Sequence, residues 1–412
     1  MKASLILGND NWAVKDSSLL GYTITDEDNF EPEAFNVTRA STKTRINRDG
    51  LIESVANNVA SIDFLDDTEG VLLTEPQSTN LITYSEDFSN VSWSKFQSSI
   101  INSQYNNLTN LNNATLHYPT INSSYSSLFD TIDLFSGIYT RSVFAKSSGK
   151  NYIVLDCLGG NTDYMSWFDL ENGVIGTTGS SVTSKIEDYG NGWYKCSVTN
   201  KISISANYTI IVIITDNDNS LSVTKNGTDG ILLWGAQTEA LPYATSYIPT
   251  NGSTVTRVKD VVNNAGDVNT FNSEEGVLFV EMALGKSKNS RMVLKDISNI
   301  NNRIAIIYVA NQTAILFEYF ANGIKTYNTT VTVDVSNYNK YAFKWKLNDF
   351  SVYLNSILQD SQFSGNVAAA NSFDNLDFSD RNGNNHFLIG KTKQLKVFKT
   401  ALSDAELTAL TS

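Results

Sequence analysis

Cysteine, histidine, methionine and proline are all scarce in this 412-residue chain, at two, two, four and five residues. The two cysteines, Cys157 and Cys196, exclude a disulfide-framed scaffold. With only His117 and His386 elsewhere, they also fall short of the ligands of a structural zinc site. They are expected as reduced, buried small hydrophobes, as in a chain made in a reducing cytosol; a disulfide would need two strands to bring them together. Five prolines exclude a Pro-rich linker protein. Basic residues are outnumbered 30 to 43, for a net charge of −13, so duplex nucleic acid and anionic membranes are poor partners. No apolar run is long enough to insert in a membrane as a helix. The run Leu5-Ile6-Leu7 meets polar Asn9-Asp10-Asn11 at once, so no signal peptide is expected.

What is present points to strands. Aromatic residues make up 11% of the chain, Thr, Val and Ile are frequent, and Ala-rich runs are few. Abundant Asn and Ser suit polar turns between short strands. Hydrophobic residues reach 41%, enough to build real cores, and the length fits two or three domains. Residues 1–85 read as a β-rich N-terminal region, with alternation over Phe35–Thr42 and a tight turn at Arg48-Asp49-Gly50. Its acidic clusters Asp26–Asp28 and Asp66–Glu69 read as solvated loops.

Residues 86–250 read as a β-sandwich. The segment Tyr208–Thr215 is almost continuously apolar, which predicts a strand buried on both faces. The polar stretch Gln97–Ser127 fits either a sandwich edge or an oligomer seam. Residues 251–270 read as a connector, and 271–412 restart the strand pattern. That last region includes a hairpin across Leu347–Asp349 and, from Ser403 and Glu406 at capping-box spacing, a short terminal helix.

Four stretches carry a resemblance. Val37–Glu53 and Leu73–Trp93 resemble N-terminal blocks of tailed-bacteriophage virion proteins. Asn191-Gly-Trp-Tyr-Lys-Cys196, with Trp234-Gly-Ala-Gln237 through Tyr247-Ile-Pro-Thr250, is similar to a carbohydrate-binding-module-like jelly roll. Leu395–Leu407 resembles the last strand and terminal helix of concanavalin A-like (laminin-G-like) domains. The resemblance implies an all-β chain of tandem β-sandwiches, a jelly roll and then a concanavalin A-like sandwich, after an N-terminal attachment region. It implies a virion structural protein, made in the host cytoplasm and displayed on the head or tail as a fibre or decoration. Its partners would be other virion proteins, capsid or tail, through the N-terminal region, and surface glycans; the default assembly would be a homotrimer. Two alternatives stay open: a polysaccharide depolymerase spike, and a ligand-free capsid decoration protein.

Catalytic patterns are missing. Concanavalin-like glucanases carry Glu-x-Asp-x-Glu on one strand, which aims the carboxylates at one glycosidic bond. Here Glu281 and Glu318 each lack a carboxylate two residues on, so no enzyme is expected. His117 and His386 sit in unrelated polar contexts and read as surface or edge residues. No cofactor is expected. Calcium is conceivable in Asp374–Asn385, a kind of loop that laminin-G-like domains use for it, although Gly383 is misplaced for an EF-hand. Among the tryptophans, Trp193 and Trp234 read as core. Trp167, near Tyr164 and the polar loop before it, is the candidate for stacking on a sugar ring.

Overall fold

The computed structural model describes residues 2–8, 11–15, 18–24, 29–111, 113–285, 289–309, 313–380 and 385–412, with backbone alone at Ser103 and Gln104. The acidic cluster Asp26–Asp28 lies outside the described residues. The fold is all-β, built as tandem β-sandwiches; the one α-helix among the described residues is Asp404–Leu410.

The chain divides into two compact units, and neither is continuous in sequence. One comprises residues 1–42, 55–76 and 258–412; the other comprises 43–54 and 77–257. This redraws the expected division at 85, 250 and 270. The N-terminal region is not a body of its own, because its strand Leu5–Gly8 pairs antiparallel with Gly390–Phe398, near the other end of the chain. The expected connector is structured too: Val255–Arg257 pairs with Ser78–Asn80, and Val261–Asn263 with Phe30–Thr38.

In the first unit, a large sheet runs Val261–Asn263, Phe30–Thr38, Ser18–Ile24, Leu5–Gly8, Gly390–Phe398, Glu275–Leu284, Asn339–Lys346, Phe350–Leu354, Ile357–Gln362. A five-stranded sheet runs Ile324–Thr332, Ala314–Ala321, Arg303–Val309, Arg291–Lys295, Asn375–Asp377. Alternation assigns the faces. Leu278, Val280 and Phe343 from the large sheet meet Ile304, Ile306 and Phe317 from the smaller one in a single core. The intervening Val277, Phe279 and Ala342 point the other way and are covered by Leu402 and by Leu407 of the terminal helix. That helix starts as expected, with Ser403 and Glu406 forming a reciprocal capping box. The hairpin turn is also as expected, with Asn348 at φ 58° and Asp349 N donating to Lys346 O at 2.8 Å. The loop Asp66–Glu69 is not simply solvated: Asp66 pairs with Lys391, and Asp67 with Lys393 at 2.7 Å. The Lys393 hydrogen bond holds the Asp67 carboxyl below its ordinary value.

The second unit is a sandwich of two six-stranded sheets. One runs Ser94–Phe96, Ser126–Leu134, Ala206–Thr215, Tyr152–Asp156, Met165–Asp169, Val174–Thr178. The other runs Ser98–Tyr105, Ala114–Pro119, Gly230–Glu239, Gly137–Ser148, Trp193–Ile202, Val182–Asp188. Their facing side chains, among them Val143, Val198, Leu233, Ile153, Phe168 and Val212, form one core. Ala206–Thr215 is an interior strand, buried from Ile210 onward as its composition predicts. Within the polar stretch Gln97–Ser127, Ser98–Tyr105 is a sheet edge. Cys157 and Cys196 are both buried and unbonded to each other.

Candidate functional site

The tryptophan expected to stack on a sugar is inside the protein. Trp167 is 2% exposed and its Nε1 donates to Ser220 O at 2.7 Å. Alternation explains the placement. Phe168 faces the sandwich core, so Trp167 faces outward, where it packs with Val154, Met165, Ile211 and Ile213 beneath Tyr125, Phe129 and Leu221. Tyr164 is half-buried against the core. Trp167 presents no free ring face to a sugar and fills a packing role, whereas Tyr164 keeps part of its surface exposed. Trp193 and Trp234 are core residues, 3% and 1% exposed.

The calcium loop is split. Residues 381–384 lie outside the described residues. Asp377 is held by Lys295 Nζ at 2.5 Å and by Asn264 N at 2.8 Å, so its charge is already answered. Asp374 accepts from Ile297 N at 2.8 Å. Among the described residues no group of three or more His, Cys, Asp or Glu side chains could hold a metal.

His117 corrects the sequence reading in the opposite sense. It is fully buried in Ala114–Pro119, opposite Ile231 and Ile100. Burial, reinforced by the charge of Lys95, pushes its imidazole down to about 3. It is a neutral core residue at physiological pH.

An open cleft of about 480 Å³ lies in the second unit, lined by Glu86, Asp87, Asn102, Asn113, Thr115, Pro249, Thr250 and Asn251. Three stretches build it. The segment after Tyr84 brings Glu86 and Asp87. The edge pair Ser98–Tyr105 and Ala114–Pro119 brings Asn102 and Thr115. The extended tail after Tyr247 brings Pro249 to Asn251. The tail is tied back at several points: Ser85 N donates to Thr250 Oγ1 at 3.0 Å, Thr250 N to Ser85 Oγ at 2.8 Å, and Gly252 N to Thr83 O at 2.8 Å. Gly252 sits at φ 91°, a conformation that favours glycine.

Glu86 is the fixed element of the cleft. Its Oε1 accepts from Tyr247 Oη at 3.0 Å and its Oε2 from Asn113 Nδ2 at 3.0 Å. Burial, and then the charge of Glu86, hold the Tyr247 phenol far above its ordinary value, so it stays a donor. Thr115 Oγ1 donates to Asn102 Oδ1 at 3.0 Å. Asp87 and Asn251 are exposed, and Asp87 is ordered by an Asx turn to Ser89 N at 3.0 Å. The lining thus offers carboxylates, carboxamides and hydroxyls in pre-set orientations, with the edge of Pro249 as its apolar element. Such a set matches the alternating donors and acceptors of a polyol. Sequence reading missed these residues, since only the polarity of Gln97–Ser127 and the routing of the Tyr-Ile-Pro-Thr tail hinted at them.

No protein-family model matches the chain, and no curated protein matches it. Solved structures give distant likenesses. The CBM40 of Ruminococcus gnavus IT-sialidase, bound to alpha2,3 sialyllactose, aligns with a TM-score of 0.31 and 17% identity over 36% of this chain and 94% of that one. Mouse laminin alpha1 chain domains LG4-5 align at TM-score 0.24 and 11% identity, over 69% of this chain and 90% of that one. A tail fiber protein from an E. coli phage aligns at TM-score 0.20 and 9% identity, over 80% of this chain and 41% of that one. These scores are too low to assign a fold family or a ligand.

Proposed function

We propose that this chain is a glycan-binding structural protein of a phage particle, a fibre or decoration, and that the cleft at Glu86, Asn113 and Asn251 takes the sugar. The observation that carries the reading is the cleft itself, an open, polar, pre-ordered site on a β-sandwich. The four sequence blocks that resemble phage virion proteins and glycan-binding sandwiches supply the particle context. The two carboxylates make the cleft electronegative, so neutral or amino sugars fit it better than sialylated or sulfated ones. One such site binds weakly, and many copies on one particle would supply avidity.

The N-terminal strand Leu5–Gly8 lies between two neighbours in a sheet, so attachment through this region would use the surface of that sandwich. A homotrimer stays part of the proposal; light scattering at several concentrations tests it.

The experiment is calorimetric titration of the full chain with neutral, amino and sialylated oligosaccharides, repeated on Asn113→Ala and Asn251→Ala. The expected result is binding of neutral or amino sugars, weakened tenfold or more by Asn113→Ala. Binding that both variants leave unchanged would remove the cleft from the reading. Release of reducing ends from the oligosaccharides would replace adhesion by hydrolysis.

A further inference from the structure

A second cluster, in the other sandwich, has the composition of a covalent reaction centre. Arg291–Lys295 pairs antiparallel with Asn375–Asp377, in a register that sets Lys295 opposite Asn375 and Val293 opposite Asp377. Side chains two apart share a face, so Lys295, Asn375 and Asp377 project to one side of the sheet. Lys295 Nζ lies 2.5 Å from Asp377 Oδ2, and the two side chains are 6% and 2% exposed. Asn375 is buried as well. In the amide orientation that suits its neighbours, Asn375 Nδ2 donates to Asp377 Oδ1 at 2.9 Å and Oδ2 at 3.2 Å. One carboxylate therefore touches an amine and a carboxamide at once. The same face carries the apolar cluster Val293, Ala305 and Ile307. Arg303, opposite Lys295 on the other neighbouring strand, stacks on Phe320 at 3.6 Å.

An ion pair alone would need no amide. We propose that this cluster is a self-processing site that joins Lys295 to Asn375 through an intramolecular isopeptide bond, with Asp377 as the proton carrier. Asp377 takes a proton from the Lys295 ammonium along their hydrogen bond, leaving an uncharged amine beside the Asn375 carboxamide. The Nζ lone pair adds to Asn375 Cγ, and Asp377 passes protons to the departing nitrogen. The Nζ–Cγ bond forms, the Cγ–Nδ2 bond breaks and ammonia leaves, carrying the second proton from Nζ as ammonium. Asp377 ends as it began, and no oxidant or cofactor is consumed. Backbone contacts hold the parts in place: Asn264 N donates to Asp377 Oδ1 at 2.8 Å, and Asp374 N to Lys295 O at 3.0 Å. Burial removes the competing water. The product would tie Arg291–Lys295 covalently to the short strand Asn375–Asp377.

The test is intact mass spectrometry of the purified full chain, followed by peptide mapping. The expected mass is lower than the sequence mass by one ammonia, with a branched peptide joining Lys295 to Asn375. Lys295→Arg, Asn375→Ala and Asp377→Asn should each restore the full mass expected for the variant, with Asp377→Asn doing so although both reacting residues remain. A wild-type chain at full sequence mass after days at neutral pH, with Lys295 open to acetylation once unfolded, would overturn the proposal, whether or not any variant folds. A branched peptide joining Lys295 to Asp377 instead, with loss of water, would overturn the assignment of Asn375.

Discussion

Two buried polar sites, one in each sandwich, are held in different ways. In the unit of residues 1–42, 55–76 and 258–412, the most buried charges are paired. Arg39, fully buried, donates to Asp260 at 2.7 Å, and Lys295 meets Asp377. Asp260 also accepts from Glu75 N at 2.8 Å, so one carboxylate joins three sequence segments of that unit. In the unit of 43–54 and 77–257, a titratable group is instead buried without a partner. Among the described residues, neither ring nitrogen of His117 has a hydrogen bond. A paired charge resists removal of its partner poorly but tolerates a range of pH. A lone imidazole is harmless while neutral and becomes a liability once acid offers it a proton. The first solution costs specificity of sequence across long separations; the second costs acid stability.

Four changes would break or sharpen this contrast, read best by hydrogen exchange, which reports on each unit separately. The largest effects should come from removing one partner of a buried pair or one large core ring. Asp260→Ala leaves the Arg39 guanidinium buried and uncompensated, a loss of about 3–5 kcal/mol. Protection should fall in strands of the first unit, such as Phe30–Thr38 and Gly390–Phe398, with the second largely unmoved. Trp167→Ala should cost about 3–5 kcal/mol in the other unit, from the cavity beneath Tyr125 and Leu221. If Trp167→Ala left protection intact and abolished sugar binding, the packing role assigned to it would be wrong.

Acid should separate the units next. His117 ordinarily titrates near 6.5 and in the fold near 3, so below 6.5 the unfolded chain takes up a proton that the folded chain refuses. The His117 contribution is therefore fully present above pH 6.5 and is lost as pH falls toward 3, at a slope of about 1.4 kcal/mol per pH unit. His117→Leu should flatten that slope in the second unit; an unchanged slope would place the acid sensitivity elsewhere. The smallest effect should be Ser403→Ala, which opens the capping box for about 1 kcal/mol and loosens only Asp404–Leu410.

Much of the fold was legible before any geometry. Alternation and β-branched content marked the strands, the Ser403–Glu406 spacing marked the helix Asp404–Leu410, and the buried strand ending at Thr215 followed from its apolar run. The candidate site was not legible. Glu86, Asn113 and Asn251 sit far apart in sequence, and each looks like an ordinary polar turn residue. The period of two placed Trp167 on the face opposite Phe168, but it could not show that Leu221 and the Ser220 carbonyl return to cover that face. His117 was misread for a related reason: it lies within the polar stretch Gln97–Ser127, while its neighbours across the strands, Ile100 and Ile231, are apolar.

The amino-acid sequence by itself determined that this protein is a β-sheet chain, acidic, poor in thiols and imidazoles, with real cores and one capped terminal helix. These properties are local, since composition and period act over a few residues. Only the tertiary structure decided which strands are neighbours, that Leu5–Gly8 lies beside Gly390–Phe398, that Trp167 is covered, and that Lys295 meets Asn375 and Asp377. Strand pairing joins residues hundreds of positions apart, and no periodicity within one strand encodes the register of its partner.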